Sequence, residues 1–200
     1  MRLGMETTLP DERGLHEITL GAANAWFHLA YDLYLIKHNA ELQTKLLRRL
    51  RDRENFQGAR FESVVAAIML ASGYDLQFAN LKGDGTHPEF VATHRDTQRK
   101  LAVEAKSRHR PGILGFKPHE PAQPPESYGI EGLLRDAVNK NTEDPLLVFI
   151  EVNAPEMIRR SICETSGELG GSWAKVQARE WKDGFPAIGV VFIMISLHGA

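Results

Sequence analysis

The sequence predicts an α/β fold in which helices flank a mixed β-sheet and a helical extension precedes the sheet. Apolar residues recur at three- and four-residue spacing in the first 57 residues and again over Phe61–Ala71, which is the period of an amphipathic helix. From Tyr74 onward, short apolar or alternating segments are separated by turn-forming residues, as is typical of strands. Hydrophobic residues make up 42% of the chain and charged residues 25%, so neither a disordered nor a fibrous protein is expected.

Helix is predicted from Leu15 to about Gln57, with a division into two helices at His38-Asn39. The first helix is apolar on more than one face, so it needs cover from the core of the same chain or from a second subunit. A homodimer through the N-terminal helices is favoured, and the residues that need cover include Trp26, Phe27, Leu29 and Tyr34. We assign residues 1–57 to an N-terminal helical extension and residues 58–200 to the α/β core.

The core is predicted to begin with the helix Phe61–Ala71, whose buried face carries Phe61, Val64, Val65 and Ile68. Three strands follow, Tyr74–Asn80, Glu89–Thr93 and Leu101–Lys106, and His94–Lys100 forms a hairpin connection between the last two. After a proline-rich loop at Pro111–Pro125 come the helix Ile130–Lys140, the buried strand Leu146–Val152, the helix Ser172–Lys182 and the strand Ile188–Leu197. This order predicts a mixed sheet flanked by helices.

Composition narrows the functional classes. Lys and Arg number 24 against 26 Asp and Glu, giving a net charge of -2, so a general basic coat for nucleic acid is excluded and any such role needs a local patch. The single cysteine, Cys163, cannot form an internal disulfide. The N-terminus lacks the apolar region of a secretory signal, and the longest apolar stretch, Ala187–Leu197, has about half the length of a membrane span. We therefore expect a cytoplasmic protein with no membrane contact.

One strand carries the residues that indicate chemistry. Side chains alternate across a strand, so Glu104 and Lys106 point to one face, while Leu101, Val103 and Ala105 point to the other. Glu89 begins the strand that is expected to pair with this one. Two carboxylates that lie close together in a low-dielectric setting repel each other unless a cation joins them, and Mg²⁺ prefers such oxygen ligands.

These residues give the chain a resemblance to the PD-(D/E)xK, or restriction endonuclease-like, nuclease superfamily, whose core runs αβββαβ. The resemblance covers residues 58–153: Pro88-Glu89 matches the "PD" element, Glu104-Ala105-Lys106 matches "(D/E)xK", and Glu62 matches an acidic residue on the first core helix. It implies hydrolysis of phosphodiester bonds in DNA that depends on Mg²⁺ or Mn²⁺. Glu89, Glu104 and the backbone carbonyl of Ala105 would hold the metal, and Lys106 would position the attacking water.

The chain departs from this pattern at one residue, since Glu89 stands where the family usually has Asp. Asp84 is a second candidate ligand, although its Gly-Asp-Gly setting is also typical of a turn. Glu104 and Lys106 are also consistent with a solvated strand face that carries a weak ion pair, and Glu62 with an ordinary helix surface. Glu151 marks either a strand end or an acid that faces the site. A non-catalytic binding or assembly module on the same fold is the alternative function.

Basic residues surround the predicted hairpin and are expected to contact phosphates beside the metal site; they are Arg95, Arg99, Lys100, Arg108 and Arg110. A second basic cluster, Lys45, Arg48, Arg49, Arg51 and Arg53, is interpreted as a solvated helix face. His94 and His109 are candidates for a general acid, or surface residues, and Phe116 and Tyr128 either stack on bases or hold their loop in place. DNA is favoured over RNA as the nucleic acid.

Overall fold

The computed structural model describes residues 21–78, 87–107, 129–140, 142–152, 162–178 and 188–194. Within these ranges the helices are α1 (Gly21–Asn39), α2 (Thr44–Arg51), α3 (Phe56–Ala71), α4 (Ile130–Val138) and α5 (Ile162–Gln177). The strands are β1 (Tyr74–Phe78), β2 (Phe90–His94), β3 (Lys100–Ser107), β4 (Leu146–Val152) and β5 (Ile188–Met194). None of these described helices combines the length and the hydropathy that crossing a bilayer requires.

The strands form one mixed sheet in the order β1-β2-β3-β4-β5. β1 and β2 are antiparallel, as are β2 and β3, whereas β3 and β4 run parallel, as do β4 and β5. Parallel neighbours need a crossover connection, and α4 and α5 lie in the two crossovers. The predicted class, an α/β chain with a mixed sheet flanked by helices, is confirmed.

Successive side chains of a strand point to opposite faces of the sheet, and both faces carry apolar side chains. Helices therefore cover each face. On one face, α3 and α1 cover a cluster that includes Phe90, Val103 and Phe149. On the other face, α4 and α5 cover a cluster that includes Ala102, Val148 and Ile150. The even-numbered residues of β3 therefore face α4 and α5, and the odd-numbered residues face α3.

The N-terminal helices pack onto α3 and break where the sequence predicts. α1 ends at Asn39 and α2 begins at Thr44. Ile36 of α1 is fully buried against the α3 side of the sheet, and Leu46 of α2 is 2% exposed. Leu29 is also buried, so it needs no further cover, whereas Trp26 and Phe27 are exposed.

Two helices differ from the prediction. α3 begins at Phe56 rather than Phe61, and Ile68 is 38% exposed rather than buried, because the face that packs on the sheet runs through Phe61, Val65 and Met69 instead. α5 begins at Ile162 rather than Ser172 and continues through Gly170 and Gly171. Contacts with α4 and the sheet, made by Trp173 and Val176, support a helix that its glycines disfavour.

Candidate active site

The pairing of β2 with β3 brings two of the predicted carboxylates side by side. Phe90, the first residue of β2, pairs with Val103, and Glu89 directly precedes Phe90, within electrostatic reach of Glu104. The backbone N–H of Glu89 donates a hydrogen bond to the carbonyl of Val103 at 3.0 Å, which fixes this start of β2 against β3.

Glu104 is the centre of this group. Its side chain is completely buried, and neither Oε1 nor Oε2 makes a hydrogen bond with the described residues. Two ammonium groups approach Oε1: Nζ of Lys106 at 2.8 Å and Nζ of Lys140 at 3.2 Å. Both contacts fall within ion-pair distance but lack hydrogen-bond geometry, so charge attraction accounts for them. A solvated strand face is therefore wrong for Glu104.

Glu62 joins the group from α3. It is 6% exposed, so the alternative of an ordinary helix surface is also wrong. A side-chain nitrogen of Arg49, on α2, donates a hydrogen bond to Oε2 of Glu62. Lys45 acts on the same carboxylate through its charge. The N-terminal extension thus contributes two cations beside the predicted acids.

The three carboxylates influence one another electrostatically. Burial, together with the charges of Glu62 and Glu104, raises the pKa of Glu89 from 4.5 to about 7, while Arg49 and Lys140 act in the opposite direction. Burial also raises the pKa of Glu62, against the lowering effect of Arg49. Close acids in a low-dielectric setting hold protons until a cation replaces them, which is the electrostatic character expected of a cation site.

Ala105 lies between Glu104 and Lys106 on β3, and its side chain packs on the α3 face, as the alternation predicts. Within the described ranges, no group of three or more His, Cys, Asp or Glu side chains is arranged to hold a metal ion. The predicted metal site uses only two carboxylates and a backbone carbonyl. Its test is therefore direct metal binding.

The basic hairpin residues do not converge on these acids. Arg95 and Arg99 lie in the turn between β2 and β3, and Lys100 begins β3, four residues or about 13 Å along the strand from Glu104. Because Glu89 begins β2 and the turn follows its end, the cluster and the acids lie at opposite ends of the hairpin. Arg95 instead pairs with Asp75 at 2.8 Å. These three cations are therefore not brought together with the acids, and their contact with phosphates stays a prediction.

His94 lies at the same distant end. Its Nδ1 accepts backbone N–H groups from Asp96 and Thr97, each at 3.3 Å, and its ring packs edge-on against Tyr74. These contacts give His94 a structural role in the turn rather than that of a general acid. Several other residues singled out in the sequence lie outside the described residues; they are Asp84, Arg108, His109, Arg110, Phe116 and Tyr128, together with the side chain of Cys163.

Of the two predicted settings of Glu151, the strand end is the one observed, since it is the next-to-last residue of β4. It is 2% exposed and lies within β4, on the α3 face of the sheet and so on the side opposite Glu104. Ser107, its register partner on β3, donates a hydrogen bond to its Oε2, and Arg60 of α3 lies 3.5 Å from Oε1. Glu151 is thus an internal acid with its own cation.

Sequence reasoning missed two cations of the site, Lys140 and Arg49. Lys140 follows α4 and reaches Glu104 because the β3-α4-β4 crossover returns the chain to the adjacent strand. Arg49 stood within a run of basic residues that resembles a solvated face. If Leu46 is buried, Arg49 lies at the edge of the basic face of α2, next to the buried side. This spacing was the sequence feature that could have indicated a buried contact for Arg49.

Comparisons with protein-family models, with curated proteins and with solved structures find no match for this chain.

Proposed function

We propose that the protein is a metal-dependent nuclease that hydrolyses phosphodiester bonds in DNA. The observation that carries the proposal is Glu104: a fully buried carboxylate whose oxygens make no hydrogen bond with the described residues. Glu89, just before the neighbouring strand β2, lies within its electrostatic reach, and Lys106 approaches Glu104 at 2.8 Å. Lys106 and Lys140 offset part of the cost of burying the charge of Glu104, and the carboxylate oxygens still offer lone pairs to a cation.

The residues present fit a divalent cation. Both carboxylates offer hard oxygen ligands, and the pKa of Glu89, raised by burial and by its acidic neighbours, falls when a cation joins the pair. Glu89, Glu104 and the carbonyl of Ala105 would hold Mg²⁺ or Mn²⁺. When bound, the ion supplies Lewis-acid stabilisation of the charge that develops on the phosphoryl oxygens.

Lys106 then has a distinct role. Its side chain is 23% exposed, so its ammonium reaches from buried Glu104 towards solvent and has further donors for a water molecule. A donor to that water's oxygen leaves its other lone pair free to attack phosphorus. Attack forms a new phosphorus–oxygen bond as one ester phosphorus–oxygen bond breaks; the attacking water gives a proton to solvent, and the departing oxygen takes one from solvent. Lys140, at 12% exposure, stays inside and orients the Glu104 carboxylate.

The sheet supports the same proposal. From α3 to β4 the chain runs helix, three strands, helix, strand, with the antiparallel hairpin β2-β3 next to the parallel pair β3-β4. We propose that this αβββαβ unit is a restriction endonuclease-like core. Glu89 lies just before β2, Glu104 lies on β3 and Glu62 lies on α3, and the charges of the three act on one another.

The test is cleavage by the purified protein with Mg²⁺ or Mn²⁺, on single-stranded, duplex and branched DNA and on RNA. We expect Glu104→Gln and Lys106→Ala to lower the cleavage rate by at least about 100-fold. The chain offers matched controls in the exposed pair of Glu131 and Lys175, 3.4 Å apart, where Glu131→Gln and Lys175→Ala should leave the rate unchanged. Failure of the wild-type protein to cut any of these substrates would refute the nuclease.

A second candidate is a non-catalytic module on the same fold. The two lysines at Oε1 favour it, since they already neutralise much of the charge of Glu104 without a metal. Calorimetry with Mg²⁺ separates the two candidates. Heat of binding that Glu89→Gln and Glu104→Gln abolish supports the nuclease, whereas no binding at millimolar metal supports the module.

A further inference from the structure

The helix α2 presents a basic surface beside the acids. Its sequence, TKLLRRLR, contains four cations and no acid over Thr44–Arg51. At about 100° per residue, the side chains of Arg51, Arg48, Lys45 and Arg49 follow one another around an arc of about 160°. Leu46, Leu47 and Leu50 occupy the opposite side, and Leu46 is buried. We name these four cations the α2 basic arc.

Arg49 fixes the position of this arc relative to the site. It lies at the edge of the arc and donates a hydrogen bond to Glu62, which senses the charge of Glu104. Leu46 buries the other side of the helix. These two contacts hold α2 on the rest of the protein. The arc begins with Arg49, which binds Glu62, and continues outwards through Lys45 and Arg48.

The outer part of the arc forms no ion pair within the described residues, and only Lys45 acts on an acid, Glu62, through its charge. Lys45, Arg48 and Arg51 are exposed, and no acid of the described residues forms an ion pair with any of the three. Like charges three residues apart on a helix repel each other and destabilise it. Lys45 with Arg48 and Arg48 with Arg51 are two such pairs, so the helix carries a repulsion that a polyanion would relieve.

We propose that the α2 basic arc binds the phosphate backbone of the DNA and leads it to the carboxylate site. This rests on the proposed nuclease function and names the surface that holds its substrate. It replaces the hairpin cations, which lie at the far end of β2 and β3. Contacts of this kind fix the register of the nucleic acid and carry no base information, so the arc predicts binding that varies little with sequence.

The experiment compares two triple variants with the same loss of charge, Lys45→Ala/Arg48→Ala/Arg51→Ala on α2 and Arg95→Ala/Arg99→Ala/Lys100→Ala at the hairpin turn. Binding of a fluorescent DNA duplex is measured by anisotropy in EDTA, so that no cleavage occurs, over a range of salt concentrations. Arg49 is left intact because of its bond to Glu62. Circular dichroism and thermal melting verify that both variants fold.

We expect the α2 variant to bind at least about tenfold more weakly at low salt, with a slope of log K against log salt smaller by about 2–3, since each phosphate contact contributes about 0.9. The hairpin variant should bind within about twofold of wild type. Equal losses in the two variants, no loss in the α2 variant, or no DNA binding by wild type would overturn the proposal. Competition by polyglutamate as strong as that by DNA would also overturn it, in favour of an acidic protein partner.

The two proposals fail separately. If wild type cleaves DNA and the α2 variant binds and cleaves as wild type does, the arc is wrong and the nuclease stands. If the α2 variant alone loses DNA binding but wild type cuts nothing with Mg²⁺ or Mn²⁺, the arc is supported and the nuclease is wrong.

Discussion

Glu89 connects the site to the stability of the fold. Burial and the charges of Glu62 and Glu104 raise the pKa of Glu89 from 4.5 to about 7. Between these pH values the folded chain holds a proton on Glu89 that the unfolded chain has released. The free energy of unfolding therefore falls as the pH rises across this window, and the loss is complete above it. At pH 8 without metal, the ionised Glu89 carboxylate therefore lowers the free energy of unfolding.

We predict that Glu89→Gln stabilises the metal-free protein at pH 8, by about 1–3 kcal/mol, because glutamine carries no charge to bury. At pH 4.5 the difference should vanish, since Glu89 is then protonated in the folded chain. Thermal melting in EDTA at the two pH values measures this. Glu131→Gln on the exposed part of α4 is the control and should show no such pH dependence. An equal effect of Glu89→Gln at both pH values would contradict the electrostatic origin.

The alternation of side chains made part of the site predictable from sequence. A strand has a period of two, so Glu104 and Lys106 had to share a face, and a hairpin of that length had to bring Glu89 alongside. Lys140 and Arg49 were beyond such reasoning. Each reaches the site through packing between elements that are distant in sequence. The residues next to Lys140 or Arg49 in the sequence do not predict that packing.

At the scale of elements, β4 and α3 share an internal ion pair on the face opposite the site. Glu151 is 2% exposed, Arg60 lies 3.5 Å away, and Ser107 donates a hydrogen bond. Asp32 on α1, whose pKa burial raises to about 6, also lies within the electrostatic reach of Arg60. One arginine thus serves acids from β4 and α1 and ties both elements to α3.

We predict that Arg60→Met destabilises the protein by about 2 kcal/mol, because it leaves Glu151 buried without its cation. Chemical denaturation at pH 7 measures the change. Arg95→Ala, which breaks the exposed pair with Asp75, is the matched control and should cost less than about 0.5 kcal/mol. Nearly equal costs for the two variants would show that the internal pair contributes no more than a surface one.

Element boundaries show where sequence reasoning stops. Leu146–Val152 matches β4 at both ends, because a continuous apolar run is unambiguous once it is buried on two faces. α5 was placed about ten residues too late, since three glycines within Ile162–Gln177 lower its helix propensity. A single sequence gives the intrinsic preference of a segment but not the contacts with α4 that override it.

At the scale of the whole molecule, the two sides of α1 differ in exposure. Its inner side, with Leu29 and Ile36, is buried. Its outer side exposes a stripe of aromatic rings that recur at four- and three-residue spacing, Phe27 at 60%, Tyr31 at 61% and Tyr34 at 57% exposure. Exposed apolar clusters of this kind are typical of interaction surfaces. The α2 basic arc belongs to the next helix, so the aromatic stripe and the proposed DNA surface are adjacent but distinct.

The aromatic stripe is the basis on which we predict a homodimer through the N-terminal helices. A two-fold contact is self-complementary, so one stripe packs against its own copy, and a charge placed in it acts twice in each dimer. Tyr31→Glu should therefore shift the chain to monomer in analytical ultracentrifugation at micromolar concentration, without lowering its melting temperature by more than a few degrees. Gln77→Glu, which adds the same charge on exposed β1, is the control and should leave the dimer intact. A wild-type protein that sediments as a monomer throughout would assign the stripe to some other partner, whereas loss of dimer in both variants would trace the effect to net charge.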